Sequence, residues 1–142
     1  MAAVRASATR TDDLSVLRIE GELTAGTVLH VEACLAPLLQ VTRPRLVIDL
    51  SRVRVCDCTG ATMLDVTARI AADHGGEVRL AAPTAAVCRT LRGAGIMRVA
   101  GTYGSINGAL RADPIDLLAT PDELTNRVGL PGPRPSEDAQ PR

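Results

Sequence analysis

The sequence predicts an α/β domain: a mostly parallel sheet of four to five strands with about four helices packed on it. Apolar residues pass repeatedly from short alternating or continuous runs to helical spacing. The resulting order is β-α-β-α-β-α-β-α, and strands separated by helices pair in parallel. The chain has 142 residues, enough for one core. Hydrophobic residues make up 46% of it, with one Tyr and no Trp or Phe, so that core is aliphatic. Each buried Val, Leu or Ile contributes roughly 1.5 to 3 kcal/mol.

The first strand runs from Leu14 to Glu20, with Leu14, Val16 and Ile19 set against Ser15 and Arg18, and Gly21 breaks it. A helix capped by Thr24 follows, with Val28, Val31, Leu35 and Leu38 or Leu39 on one face and Glu32 toward water. Pro37 predicts a kink or an early end. From Arg45 to Leu50 the run is almost continuously apolar, as in a central strand, and it extends through Val53 and Val55. Beyond Gly60 the spacing is helical. It places Met63, Val66 and Ile70 on the apolar side, and Asp65, Arg69 and Asp73 as successive i,i+4 ion pairs on another.

His74-Gly75-Gly76 closes that helix, and Glu77 to Ala81 is a short strand. Pro83-Thr84 opens a third helix, with Val87, Cys88, Leu91 and Ala94 on its apolar face and Gly95 at its end. A weaker strand covers Arg98 to Thr102, and Ser105 to Asp113 forms the last helix. The domain is therefore expected over residues 1–113. Residues 114–142 form an extension that is largely disordered from Gly129 onward, with a short helix at 121–128 opened by Thr120-Pro121-Asp122-Glu123.

Composition narrows the function classes. Sixteen basic and sixteen acidic residues cancel, so there is no long-range field for a phosphate backbone or an anionic membrane. With one aromatic residue there are no stacking platforms, and nucleic acid is set aside. No segment reaches the roughly 20 apolar residues of a membrane helix, and the amino terminus lacks the apolar stretch of a signal peptide. A cytoplasmic chain is expected. Cys34, Cys56, Cys58 and Cys88 read as reduced thiols, and Cys56-x-Cys58 has no second pair at zinc spacing. Neither a metal nor a cofactor is expected.

The segment that carries chemistry is Asp57-Cys58-Thr59-Gly60, a polar stop between a buried strand and an amphipathic helix. Backbone N–H groups at a helix start are unpaired and carry partial positive charge, so an anion is favoured there. Asp57 reads as the N-cap. Thr59 supplies a hydroxyl that either caps the first turn or accepts a phosphoryl group.

From Leu46 to Ile96 the chain resembles the central part of STAS domains in bacterial anti-sigma factor antagonists. In that family a buried strand ends in Asp-Ser-Ser/Thr-Gly and a helix follows. Then come Gly-Gly, a strand, a proline-led helix and a Gly-Leu/Ile pair. The similarity runs from Leu14 to Leu110 and includes Gly21-Glu22-Leu23. The resemblance implies a STAS-type fold and a regulatory protein-binding module that is not an enzyme. The implied partner is an anti-sigma factor of the GHKL serine/threonine kinase type, which the module sequesters so that a sigma factor is released for transcription. It implies phosphorylation at Thr59 by that kinase, reversal by a phosphatase, and a contact face of Thr24, Asp57, Cys58, Thr59, Gly60, Ala61, Thr62 and Met63. Cys58 stands in place of the first motif serine, and Thr24 where phosphorylated relatives commonly carry Asp.

Two other readings stay beside this one. A non-phosphorylated STAS subunit of a larger signalling assembly would share the fold, with the extension or a homodimer face dominant. A small thiol enzyme would use Cys56 or Cys58, since a helix N-terminus lowers a thiol pKa. Its base is missing from the pattern: His30 falls on the first helix, and His74 lies about 20 Å along the second by helical rise.

Overall fold

The structure, a computed structural model, describes residues 3–11 and 13–119. Its elements in chain order are β1 (Val4–Thr11), β2 (Leu14–Leu23), α1 (Val28–Leu39), β3 (Arg45–Cys56), α2 (Cys58–Asp73), β4 (Glu77–Ala81), α3 (Ala85–Ala94), β5 (Gly101–Tyr103), α4 (Ile106–Arg111) and β6 (Leu117–Ala119). The strands lie in one sheet in sequence order, β1 to β6. From β2 to β5 all pairing is parallel, while β1 and β6 join the two edges antiparallel.

The α/β architecture is as expected, with six strands among the described residues instead of four to five and antiparallel edges. Both added strands carry only a weak apolar signal: in β1 the alternating Val4, Ala6 and Ala8 are mostly small, and β6 has three residues. In β1 only Val4 and Ala6 pack against the core, and the strand exists because β2 pairs with it from Val4↔Gly21 to Thr11↔Leu14. The three-residue β6 pairs with β5 through Tyr103↔Leu117, so the sheet continues past residue 113 to Ala119. The helix expected at 121–128 and the disorder expected from Gly129 lie outside the described residues.

The core divides along the sheet. On one face Leu17, Ile19, Leu46, Ile48, Leu50 and Leu80 meet α1, α2 and α3 through Val31, Leu35, Leu64, Ala68, Val87 and Leu91. On the other, Val47, Ala81 and Tyr103 pack on Ala109 of α4. Every residue from Leu46 to Leu50 is buried, as a central strand requires. The one carboxylate in that run, Asp49, meets Arg18 Nε at 3.4 Å and accepts from Ser51 N–H at 2.9 Å.

Several local expectations are corrected. Gly21 does not end the first strand. At φ 106 it bends β2 in a conformation that side chains disfavour, and the register shifts there while pairing with β3 continues to Leu23↔Cys56. The N-cap of α1 is Thr27, not Thr24, and Pro37 sits inside the last turn, with the helix ending at Leu39. In α2 the buried face is Gly60, Ala61, Met63, Leu64, Thr67, Ala68 and Ala71, whereas Val66 is 48% and Ile70 37% exposed. Small residues let α2 approach the sheet closely, which turns its larger Val66 and Ile70 outward. Arg69 pairs with Asp65 at 3.1 Å, and no Arg69–Asp73 pair forms among the described residues. Ala94 of α3 is exposed.

Candidate functional site

The site lies where the carboxyl ends of β2 and β3 release the chain into α1 and α2. Parallel pairing brings Leu23 beside Cys56, and Asp57 N–H then donates to the Leu23 carbonyl at 3.2 Å. The loop starting at Thr24 is thereby placed against the start of α2. Asp57, in extended backbone, caps α2 as expected: its Oδ1 accepts from Gly60 N–H at 2.8 Å. Its Oδ2 accepts from Ala25 N–H at 3.1 Å, so one carboxylate holds two loops together. The Gly60 N–H holds the Asp57 carboxyl below its usual range; partial burial acts the other way, and the Ala25 N–H adds to the lowering.

The first loop is tied off separately. Thr27 Oγ1 donates to the Glu22 carbonyl at 2.7 Å and accepts from Thr24 N–H at 3.0 Å. Thr24 Oγ1 accepts from Gly26 N–H at 3.3 Å, and its carbonyl receives Thr27 and Val28 N–H. Gly60 is required by packing, because a Cβ there would collide with the Leu23 carbonyl.

The residues expected at the contact face separate into two groups. Cys58, Thr59 and Thr62 are exposed, and Thr24 and Asp57 are half-buried. Gly60, Ala61 and Met63 are buried and support the site from beneath. Cys58, Thr59, Thr62 and Met63 line an open groove of about 360 Å³ together with Val66 of α2 and with Val28 and Glu32 of α1. The α1 side of this groove was not legible at the motif. Its signal lay elsewhere, in a helix with a single Asp, Glu, Lys or Arg, Glu32.

Among the described residues the groove holds one carboxylate, has the ionised Asp57 at its margin, and contains no Lys or Arg. A phosphoryl group on Thr59 would find first-turn amides but no cation, and would face negative charge already in place. Thiol chemistry is poorly supported. Burial, with Asp57 and Cys58 adding, pushes the Cys56 thiol up to about 11, so it is protonated at neutral pH. The groove lining contains no histidine, and His74 Nδ1 is engaged by the Ile70 carbonyl at 2.8 Å. Among the described residues no three His, Cys, Asp or Glu side chains are grouped to hold a metal, and no helix is long and apolar enough to cross a membrane.

Comparison with known proteins bears on the family and the fold. The STAS domain family model matches residues 5–109. Comparison with curated proteins gives no match. Among solved structures, an anti-sigma factor antagonist from Mycobacterium paratuberculosis is similar at 24% identity and a TM-score of 0.71, covering 78% of this chain and 93% of its own. A serine-to-glutamate variant of RsbS from Moorella thermoacetica shares 28% identity at a TM-score of 0.64, covering 76% and 93%. The Bacillus cell fate determinant SpoIIAA in its phosphorylated form shares 19% identity at a TM-score of 0.54, covering 89% and 99%.

Proposed function

The chain belongs to the STAS domain family, and from that premise we propose that it is an anti-sigma factor antagonist, a binding module that sequesters a kinase-type anti-sigma factor and so releases a sigma factor. Solved structures of similar fold include proteins described as anti-sigma factor antagonists, one of them in unphosphorylated and phosphorylated forms. The observation that carries the reading is Thr59. It is exposed on the first turn of α2, at the edge of a groove and beside a carboxylate that braces both loops.

In this reading the unmodified site binds the anti-sigma factor. Phosphorylation of Thr59 adds close to two negative charges where Asp57 and Glu32 already stand, and burying that charge in an interface breaks the complex. A phosphatase restores it. Asp57 sets the positions of Thr24 and Thr59, Thr62 adds polar surface, and Gly60, Ala61 and Met63 hold α2 against the sheet. Cys58 serves as contact surface, and the module carries out no catalysis.

One observation favours a second reading. Thr24 supplies no carboxylate, its hydroxyl is taken up within its own loop, and among the described residues the groove offers no cation to a phosphate. A STAS subunit that is never phosphorylated would have these features. Titration calorimetry of wild type, Thr59→Ala and Thr59→Glu against a purified kinase-type anti-sigma factor, with a phosphorylation assay in ATP, separates the two. The switch predicts binding by wild type and Thr59→Ala, much weaker binding by Thr59→Glu, and phosphate incorporated only in wild type. Equal binding by all three without phosphate incorporation would establish the structural subunit.

A further inference from the structure

The outer surface of the domain carries a second feature that the motif at Thr59 does not explain. Of the twelve residues of α1, VLHVEACLAPLL, only Glu32 is an Asp, Glu, Lys or Arg, yet only Val31 and Leu35 are buried. A helix apolar on nearly all sides is ordinarily enclosed. Here Leu29 stands 79% exposed. The neighbouring α2 repeats the pattern, with Val66 at 48% and Ile70 at 37%.

Val66 and Ile70 border one seam between the two helices. At its start the groove beside Thr59 runs between Val28 and Glu32 of α1 and Val66 of α2. At its far end an open hollow of about 690 Å³ lies between Ala36 and Leu39 of α1, Gln40, Val41 and Thr42 just after it, Ile70 of α2 and His74 at the C-cap of α2. The α1 residues Val28, Glu32, Ala36 and Leu39 recur at helical spacing, as do Thr59, Thr62, Val66 and Ile70 of α2 and the C-cap His74. From Thr59 to His74 the seam is about 22 Å long by helical rise. The two hollows share no lining residue but follow the same pair of helices, and a partner helix of about 15 residues would span both.

We propose that this α1–α2 seam is the docking trough for an amphipathic helix of the anti-sigma factor. That helix would have an apolar face along Val28, Val66, Leu39 and Ile70 and one basic side chain opposite Glu32. The inference rests on the function proposed above and specifies the partner surface. Charge selects the occupant. Among the described residues Glu32 is the one carboxylate lining the seam, and no Lys or Arg lines it. A second copy of this chain packing about a two-fold axis along α1 would set Glu32 against Glu32 with no cation to offset the repulsion. A partner with a matching Lys or Arg removes that conflict. The seam also explains the position of the switch, because Thr59 lines its first turn and any charge placed there is desolvated by the docked helix.

The test is titration calorimetry of full-length Ile70→Lys, Val66→Lys and Glu32→Lys against the purified kinase-type anti-sigma factor. Each variant is first shown by its thermal melt to be folded, and Ile115→Lys serves as control because Ile115 is 94% exposed in the segment after α4. Affinity losses of roughly tenfold or more in all three seam variants, with the control unchanged, are expected. Amide exchange should slow along α1 and α2 in the complex. If Thr59→Glu abolishes binding while the seam variants bind as wild type does, the function stands and the trough is overturned. Concentration-dependent dimerisation of wild type that Val66→Lys abolishes would overturn it in favour of a second copy. If wild type does not bind the anti-sigma factor at all, the proposed function fails, and this inference fails with it.

Discussion

Helices α1 and α3 pack on the same face of the sheet, yet they are built on opposite rules. In α3, Thr84 Oγ1 accepts from Val87 N–H at 3.2 Å, Gly95 closes the helix at φ 78, and Val87, Cys88 and Leu91 are buried while Arg89 and Arg92 face water. Its two faces are chemically distinct, as packing alone demands. In α1 no side chain caps the first turn, the Thr27 hydroxyl serves the preceding loop, Pro37 interrupts the ladder, and the exposed side carries Leu29, Ala33, Ala36 and Pro37 beside His30 and Glu32. The contrast teaches that α3 is explained by the stability of this domain and α1 is not. The excess apolar surface of α1 lies beside Thr59, where the proposed partner binds.

Substitutions should separate the two helices by size of effect. Leu91, fully buried in α3, should be the most sensitive. Leu91→Asp puts an unpaired carboxylate in the core and should cost more than about 4 kcal/mol in urea unfolding, enough to leave little folded protein. A soluble variant with a near-normal midpoint would show that α3 is not integral to the core.

At the junction of the two loops, Gly60→Ala should destabilise by roughly 1 to 3 kcal/mol, since the added Cβ meets the rigid Leu23 carbonyl. It should also weaken partner binding by shifting the start of α2. An unchanged melting temperature would mean that α2 can slide without loss.

Capping effects come next. Thr84→Ala and Asp57→Ala should each cost about 1 kcal/mol, but only the second should depend on pH. The Asp57 carboxyl is held below its ordinary value in the folded state. Its contribution is therefore fully present above the unfolded value of about 3.9 and is lost as pH falls through the lowered folded value. The stability gap between wild type and Asp57→Ala, read by urea midpoints from pH 7 to 3, should narrow toward the acid end, while that for Thr84→Ala stays constant. A gap for Asp57→Ala that is independent of pH would refute the charged-cap account. Smallest of all, Leu29→Lys in α1 should move stability by no more than about 0.5 kcal/mol. A larger loss would mean that α1 is a packing helix like α3 after all.

Much of this fold was legible because each central element carries its own period. The continuous run from Leu46 to Leu50, the Thr84 and Gly95 boundaries of α3, and the Asp57 cap all rest on interactions within a few residues of one another. The edge strands were not legible. The residues Val4 to Thr11 have weak apolar alternation, and they are a strand only because β2 offers an unpaired edge. Near Thr59, the cap and the exposed hydroxyl could be read from the motif. That Asp57 also binds Ala25 could not, since the two are 32 positions apart.

The sequence by itself determined the α/β order, the aliphatic core, the cap at Asp57 and the hydroxyl at Thr59, because periodicity and capping act over one or two turns of chain. Only the tertiary structure decided which side of α2 faces inward, that Val66 and Ile70 stay exposed, and that α1 lies beside them to form a seam with Thr59 at its end. A helical wheel shows which residues are apolar. Whether the sheet covers them depends on how closely small residues such as Gly60, Ala61, Ala68 and Ala71 let the helix approach, and that is a property of two surfaces in contact.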